Sequence, residues 1–206
     1  NLLKHFNNIS VRERQGENIL KQQLGLFGEV VLDPVFLLNK ENWMALAGKK
    51  RKVKDKYILI YSFGSKNIQN TAEKIAKEYN LKIVNVSFTF KEIFNKKYKT
   101  LLSVGPEEFV NLFMHAEYVV TNSFHGTSFS ILFNKQFYTE LLGNNSDVNS
   151  RLINILELFK LQDRFIKEGE DIDLSRSIDY EKINPILERE RIKSLEYIQR
   201  VLNEQN

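Results

Sequence analysis

The 206-residue sequence contains no cysteine. Disulfides, thiolate catalysis and zinc sites built on cysteine are therefore excluded, and a reducing compartment fits. Proline is scarce, with three residues, and no apolar run approaches the roughly 18 residues that span a bilayer. The first residues do not read as a signal peptide. Phosphate loops of the forms G-x-x-x-x-G-K-[ST] and G-x-G-x-x-G are missing, as is a G-x-S-x-G nucleophile turn. His115 and His125 are too far apart for a metalloprotease pair. A dominant charge is lacking too: 30 Lys and Arg stand against 26 Asp and Glu, a net +4 too mild to demand nucleic acid. Most of the excess lies in "KKRKVKDK", Lys49 to Lys56. It reads as a solvated linker, with an anionic membrane face or polymer as the other reading.

What is present is a globular composition, 42% apolar and 27% charged, with strands and helices in alternation. "NNISVRE" (7–13) and "EVVLDP" (29–34) read as short strands, with a helix over 16–24 between them. "FLLNKENWMALAG" has helical spacing up to Gly48. "YILIYSFG" is an apolar run suited to a strand buried on both faces. "NIQNTAEKIAKEYN" is an amphipathic helix, and "KIVNVSF" a strand. A variable loop, "TFKEIFNKKYKT", precedes the helix "GPEEFVNLFMHA", where Pro106 suits the first turn. "YVVTNS" is a strand, "GTSFSILFN" a helix and "QFYTEL" a last strand before the polar loop "LGNNSDVNS". Helices over 151–161 and from about Tyr180 to Glu204 close the chain. This alternation predicts an α/β fold with a Rossmann-like parallel sheet. The chain opens at Asn1 as though in the middle of a fold, so an N-terminal part left out or cleaved is expected. Residues 1–48 then read as the end of a truncated domain and linker. Residues 49–206 read as a Rossmann-like domain with closing helices.

Ligands of such sheets bind beyond the carboxyl ends of the strands. That rule selects "SFGSKN", "SVGPEEF" and "TNSFHGTS". In the last, Gly126 lets the backbone approach a ligand, and the amides of Gly126, Thr127 and Ser128 are expected to face outward as an anion site. His125 is either a reagent there or a residue that hydrogen-bonds its own turn. Arg12, followed by Glu13, can form a fork for a carboxylate or phosphate, or a surface ion pair. Arg151 reads as the opening of a helix, where its charge opposes the dipole and suggests that it reaches for an anion elsewhere. His5 and His115 read as surface or packing residues.

The ordered set "ISVRE", "VLDPVFLL…W", "GPEEFVNLFMHAEYVVTNSFHGTSFSILFNKQF" and "NSRL" resembles the polysaccharide pyruvyl transferase family, over about Ile9 to Arg164. The resemblance implies one half, the C-terminal one, of a GT-B-type fold of two Rossmann-like domains with the active site in the cleft. The chain alone can then lack activity. It implies transfer of the enolpyruvyl unit of phosphoenolpyruvate to a sugar of a cell-surface polysaccharide, commonly as a pyruvate ketal. The family's functional histidine falls on His125 and the arginine of its R-E motif on Arg12. Some relatives carry a further arginine two residues before the histidine, where this sequence has Ser123; Arg151 is the residue that replaces its charge. Glu13 and Glu108 are the candidates for a base. The implied scheme uses phosphoenolpyruvate as co-substrate, with no other cofactor and no metal. Its acceptor is a saccharide, lipid-linked in one version, which implies a cytoplasmic enzyme at the inner face of the membrane. Other readings are a GT-B glycosyltransferase using a nucleotide sugar, and a non-catalytic carbohydrate-binding relative.

Overall fold

The computed structural model describes residues 2–48, 50–143 and 146–204. Near its start lies a small β-α-β unit. Strand β1 (Ser10–Val11) is followed by helix α1 (Arg14–Ile19), which runs on as a π-type turn over Leu20–Leu24. Gly25, with φ of 63°, ends it in the left-handed conformation that glycine adopts without steric cost. Strand β2 (Glu29–Val30) lies parallel to β1, with Ser10 opposite Glu29 and Val11 opposite Val30. Pro34 then opens a 3₁₀ turn, Pro34–Phe36, capped by the Asp33 side chain. Helix α2 (Lys40–Ala47) starts later than its apolar spacing suggests, because Asn39 caps it by accepting the Asn42 N–H at 2.9 Å.

The basic run behind α2 is docked rather than floating. Asn111, fully buried, accepts the Lys52 N–H at 3.0 Å and donates to the carbonyls of Ala47 and Lys50. Arg51 folds back onto the carbonyls of Asp55 and His115 and over the Tyr57 ring, and Val53 is buried. Lys49 lies outside the described residues.

Six parallel strands follow. They are β3 (Tyr57–Tyr61), β4 (Lys82–Val86), β5 (Tyr98–Leu101), β6 (Tyr118–Thr121), β7 (Gln136–Glu140) and β8 (Phe165–Ile166). Helices α3 (Lys66–Tyr79), α4 (Pro106–His115), α5 (Phe124–Leu132), α6 (Ser146–Phe159) and α7 (Tyr180–Asn203) complete the chain. The spatial order β5-β4-β3-β6-β7-β8 is the 3-2-1-4-5-6 order of the Rossmann fold, counted from β3. The apolar run of β3 is central, which is why its first four residues are all buried. Strand β5 falls largely in the expected variable loop, and β8 in the stretch between the two closing helices, for which no element is expected. Both lie at sheet edges, where a strand needs only one partner and leaves a weak apolar signature.

Two helix starts differ from expectation with consequences for the site. Helix α5 begins at Phe124, so His125 belongs to its first turn, and Ser123 is the cap. Helix α6 begins at Ser146, so Arg151 lies in its second turn and does not oppose the dipole at a helix start. The polar loop expected over 142–150 is therefore shorter, with Asn144 and Asn145 outside the described residues. Residues before and after position 48 contribute to one buried cluster. Leu32, Val35, Phe36 and Ala47 are buried in the same cluster as Tyr57, Phe113, Phe129 and Phe159.

Candidate functional site

The strand order changes direction between β3 and β6, and their carboxyl ends are tied together. The Thr121 hydroxyl donates to the Tyr61 carbonyl at 2.5 Å and accepts the Ser123 N–H at 3.0 Å. The Asn122 side chain accepts the Phe63 N–H at 2.9 Å. These bonds fix the turn from which α5 starts. Ser123 is buried and spends its hydroxyl as the helix cap, accepting the Gly126 N–H at 3.4 Å. It is also hydrogen-bonded to Tyr61, whose hydroxyl pKa burial nonetheless pushes up.

Gly126, Thr127 and Ser128 do not form the outward-facing amide cradle expected of them. All three are buried. The Thr127 N–H donates to the Ser123 carbonyl at 3.0 Å, and the Ser128 hydroxyl to the Phe124 carbonyl at 2.8 Å. Thr127 Oγ1 faces Thr139 on β7 at 3.3 Å. Glycine is required at 126 for contact with β6: a Cβ there would lie 2.3 Å from Thr121 Oγ1. The residue is needed for helix-on-strand packing rather than for approach of a ligand. His125, by contrast, is exposed on the first turn of α5. Its ring stands edge-on to Phe124, with centroids 5.4 Å apart.

Phe124 forms part of a cavity of about 340 Å³. The carboxyl ends of β1 and β2 contribute Arg12, Glu13 and Asp33, α6 contributes Arg151, and α7 contributes Lys193. Two guanidinium groups are held in it by different means. Arg12, half-exposed, pairs with the carboxylate of Asp33, whose side chain is 4% exposed. The other Asp33 oxygen accepts the Val35 N–H at 3.1 Å. Arg151 lies over the face of the Phe124 ring, 5.4 Å from its centroid. Glu13 accepts the Ser150 hydroxyl at 2.5 Å.

The fold thus gathers Arg12, Glu13 and Arg151 from separate parts of the chain, with His125 beside the Phe124 wall. Glu108 is half-buried in the first turn of α4 and does not line this cavity. Asp33, Phe124 and Lys193 are cavity residues that sequence reasoning missed as individuals, although "LDP" contains the first and "SFHG" the second. Among the described residues, no group of three or more His, Asp or Glu is placed to hold a metal ion.

Comparison with solved structures places the fold beside UDP-GlcNAc 2-epimerase from Methanocaldococcus jannaschii. One structure matches with a TM-score of 0.53 and 17% identity, over 88% of this chain and 54% of that one. A second, in complex with UDP-GlcNAc and UDP, matches at 0.51 and 18%, over 88% of this chain and 61% of that one. The chain therefore spans less than two thirds of either. At these identities the likeness is one of fold, the Rossmann-like sheet of a GT-B-type architecture. No curated protein matches in sequence. The family model for polysaccharide pyruvyl transferase matches residues 1–139, a stretch that carries Arg12, Asp33 and His125 together. More than half of the sequence being covered, the chain belongs to the polysaccharide pyruvyl transferase family.

Proposed function

We propose that this chain forms the donor side of an enzyme that transfers the enolpyruvyl group of phosphoenolpyruvate to a sugar of a cell-surface polysaccharide, closing a pyruvate ketal. The observation that carries this reading is the cavity in which Arg12 and Arg151 converge from distant parts of the chain beside Glu13. Phosphoenolpyruvate bears a carboxylate and a phosphate, and two guanidinium groups match two anionic groups by charge and planar hydrogen-bonding geometry.

The chemistry distributes over these residues as follows. A sugar hydroxyl adds to C2 of the donor, its proton is removed, and a proton is delivered to C3. The C2–O bond to phosphate then breaks, inorganic phosphate leaves, and a second hydroxyl adds to C2 with loss of its proton. His125 suits the proton transfers, since an imidazole can accept a proton at one ring nitrogen and donate one from the other. Glu13 lines the same cavity and is the candidate base, its carboxylate oriented by Ser150. Glu108 would need an acceptor that reaches from the cavity to α4, and it takes second place. The Gly126–Ser128 segment supports the site by holding α5 against β6.

The fold is shared with an epimerase solved with UDP-GlcNAc and UDP, so a nucleotide sugar is the competing donor class. Following the melting temperature against each compound separates the two. Phosphoenolpyruvate is expected to stabilise the protein, and Arg12→Ala and Arg151→Ala to weaken that effect at least tenfold in concentration. In a pyruvyl transfer assay with the acceptor, His125→Ala is expected to lose turnover by roughly 100-fold or more, the usual size of a general acid–base contribution. Stabilisation by UDP alone would overturn the reading.

A further inference from the structure

Helix α7 lies outside residues 1–139, the stretch matched by the family model, yet through Lys193 it supplies part of the wall of the cavity that holds Arg12 and Arg151. Neighbours on the helix set that residue in place. Ser194 is buried, and its hydroxyl accepts the Leu32 N–H at 2.9 Å while donating to the Glu190 carbonyl at 2.7 Å. The Arg191 guanidinium donates to the Phe36 carbonyl at 2.7 Å. Both bonds clamp α7 to residues 32–36, the segment whose Asp33 holds Arg12. Lys193 itself is exposed and, among the described residues, makes no ion pair. Glu190, one turn earlier on the helix, is taken by Arg189 at 2.9 Å.

We infer that Lys193 holds the phosphate of the donor, an inference that rests on the pyruvyl reading above. Charge requires a third cation. Phosphoenolpyruvate carries about three negative charges near neutral pH, about two of them on phosphate. Of the two guanidinium groups already placed, Arg12 is neutralised by Asp33, which leaves Arg151 uncompensated. A planar guanidinium suits the carboxylate, whereas a compact ammonium with three donors meets phosphate as a point charge. Arg14 is another cation of the cavity without an ion pair among the described residues. It opens the six-residue helix α1, which has no side-chain cap, so Lys193 stands on the better-anchored backbone. Lys193 also lines a second cavity, of about 620 Å³, and so stands where the two cavities meet. When the C2–O bond to phosphate breaks, its electron pair passes to the phosphate oxygen. The ammonium offsets that charge and keeps its own proton, and the second cavity gives the phosphate a way out.

Inorganic phosphate and pyruvate are the probes, since each carries one of the donor's two anionic groups, and melting is followed at constant ionic strength. In Lys193→Gln the phosphate concentration that gives half of the melting shift should rise roughly tenfold, while that of pyruvate changes by less than about twofold. The concentration needed of phosphoenolpyruvate should rise with that of phosphate. Without ligand the variant should melt as the parent does, because Lys193 is exposed. If it does not, Lys193→Arg, which keeps the charge, is the second variant and should respond to phosphate nearly as the parent does. In a transfer assay with acceptor and saturating donor, Lys193→Gln should lose turnover roughly tenfold or more. A parent protein that phosphoenolpyruvate does not stabilise overturns the pyruvyl reading and this inference together. Stabilisation of the parent and of Lys193→Gln at the same concentrations overturns the assignment of Lys193 alone. So does an equal loss for pyruvate, a phosphate response lost as fully in Lys193→Arg, or unchanged turnover. A phosphate response lost in Arg14→Gln and kept in Lys193→Gln overturns it as well.

Discussion

At Asp33 one carboxylate does two jobs that the sequence motif "LDP" does not announce. One oxygen caps the turn that opens at Pro34, and the other holds the Arg12 guanidinium. The pair is asymmetric in burial, with the acid inside and the arginine at the cavity. An asparagine in its place keeps the capping oxygen and removes the charge. Asp33→Asn is therefore expected to cost about 1–2 kcal/mol, because the Arg12 left behind is half-solvated rather than buried. The larger consequence falls on the ligand. With Arg12 free to wander, apparent affinity for phosphoenolpyruvate should weaken about tenfold, with a much smaller change in turnover. Donor titration and a melt on the same variant separate the two effects. A variant with normal donor affinity would show that Asp33 serves the fold alone. Phe124 stands to Arg151 as Asp33 stands to Arg12, through its ring face instead of a charge.

At the scale of elements, the site depends on how closely α5 approaches β6. Thr121 cannot yield to a larger residue at 126, because its hydroxyl is engaged by both the Tyr61 carbonyl and the Ser123 amide. Gly126→Ala would place a methyl group 2.3 Å from that oxygen. The expected cost is about 2–3 kcal/mol, typical of overpacking, or on the order of 5–10 °C in a melt of a chain this long. Calorimetry of the variant checks it, and a melt within 1 °C (about experimental error) of the parent would contradict the packing role. Strong periodicity made α3, β3 and α4 legible in advance. The start of α5 was not, because "TNSFHG" is polar and gives no apolar period; only the cap at Ser123 defines it. The edge strands β5 and β8 were invisible for the related reason that one-sided pairing asks little of composition.

Over the whole molecule, the two edges of the sheet carry different chemistry. The carboxyl edge leads into the candidate site, with His125 on the first turn of α5. The amino edge buries cations: Lys135, just before β7, has its pKa lowered to about 8, chiefly by burial, with Lys40 and Arg51 adding to the effect against Glu117. His115 is pushed down by burial and by Arg51 and Lys135. The folded state thus prefers neutral Lys135, while the unfolded chain keeps it charged up to its usual range. Below pH 8 the penalty is present in full, and it is relieved as pH rises from about 8 towards 10.5. Lys135→Met should therefore raise stability at pH 7 by about 1–3 kcal/mol, and the gain should shrink by pH 10. Parallel melts at the two pH values test this, and equal melts at pH 7 would refute it.

The sequence by itself determined the alternation of buried strands and amphipathic helices, and hence the parallel sheet, because burial on one or two faces is written directly in residue spacing. It also determined which residues were chemically able to hold an anion or move a proton. Which of them meet was decided only by tertiary structure. Arg12, Asp33, Phe124 and Arg151 are distant along the chain, and their convergence depends on the docking of α5 and α6 beside β1 and β2. The same packing turned Gly126 to Ser128 inward and left His125 exposed, since a helix that starts at Phe124 aims neighbouring residues in different directions.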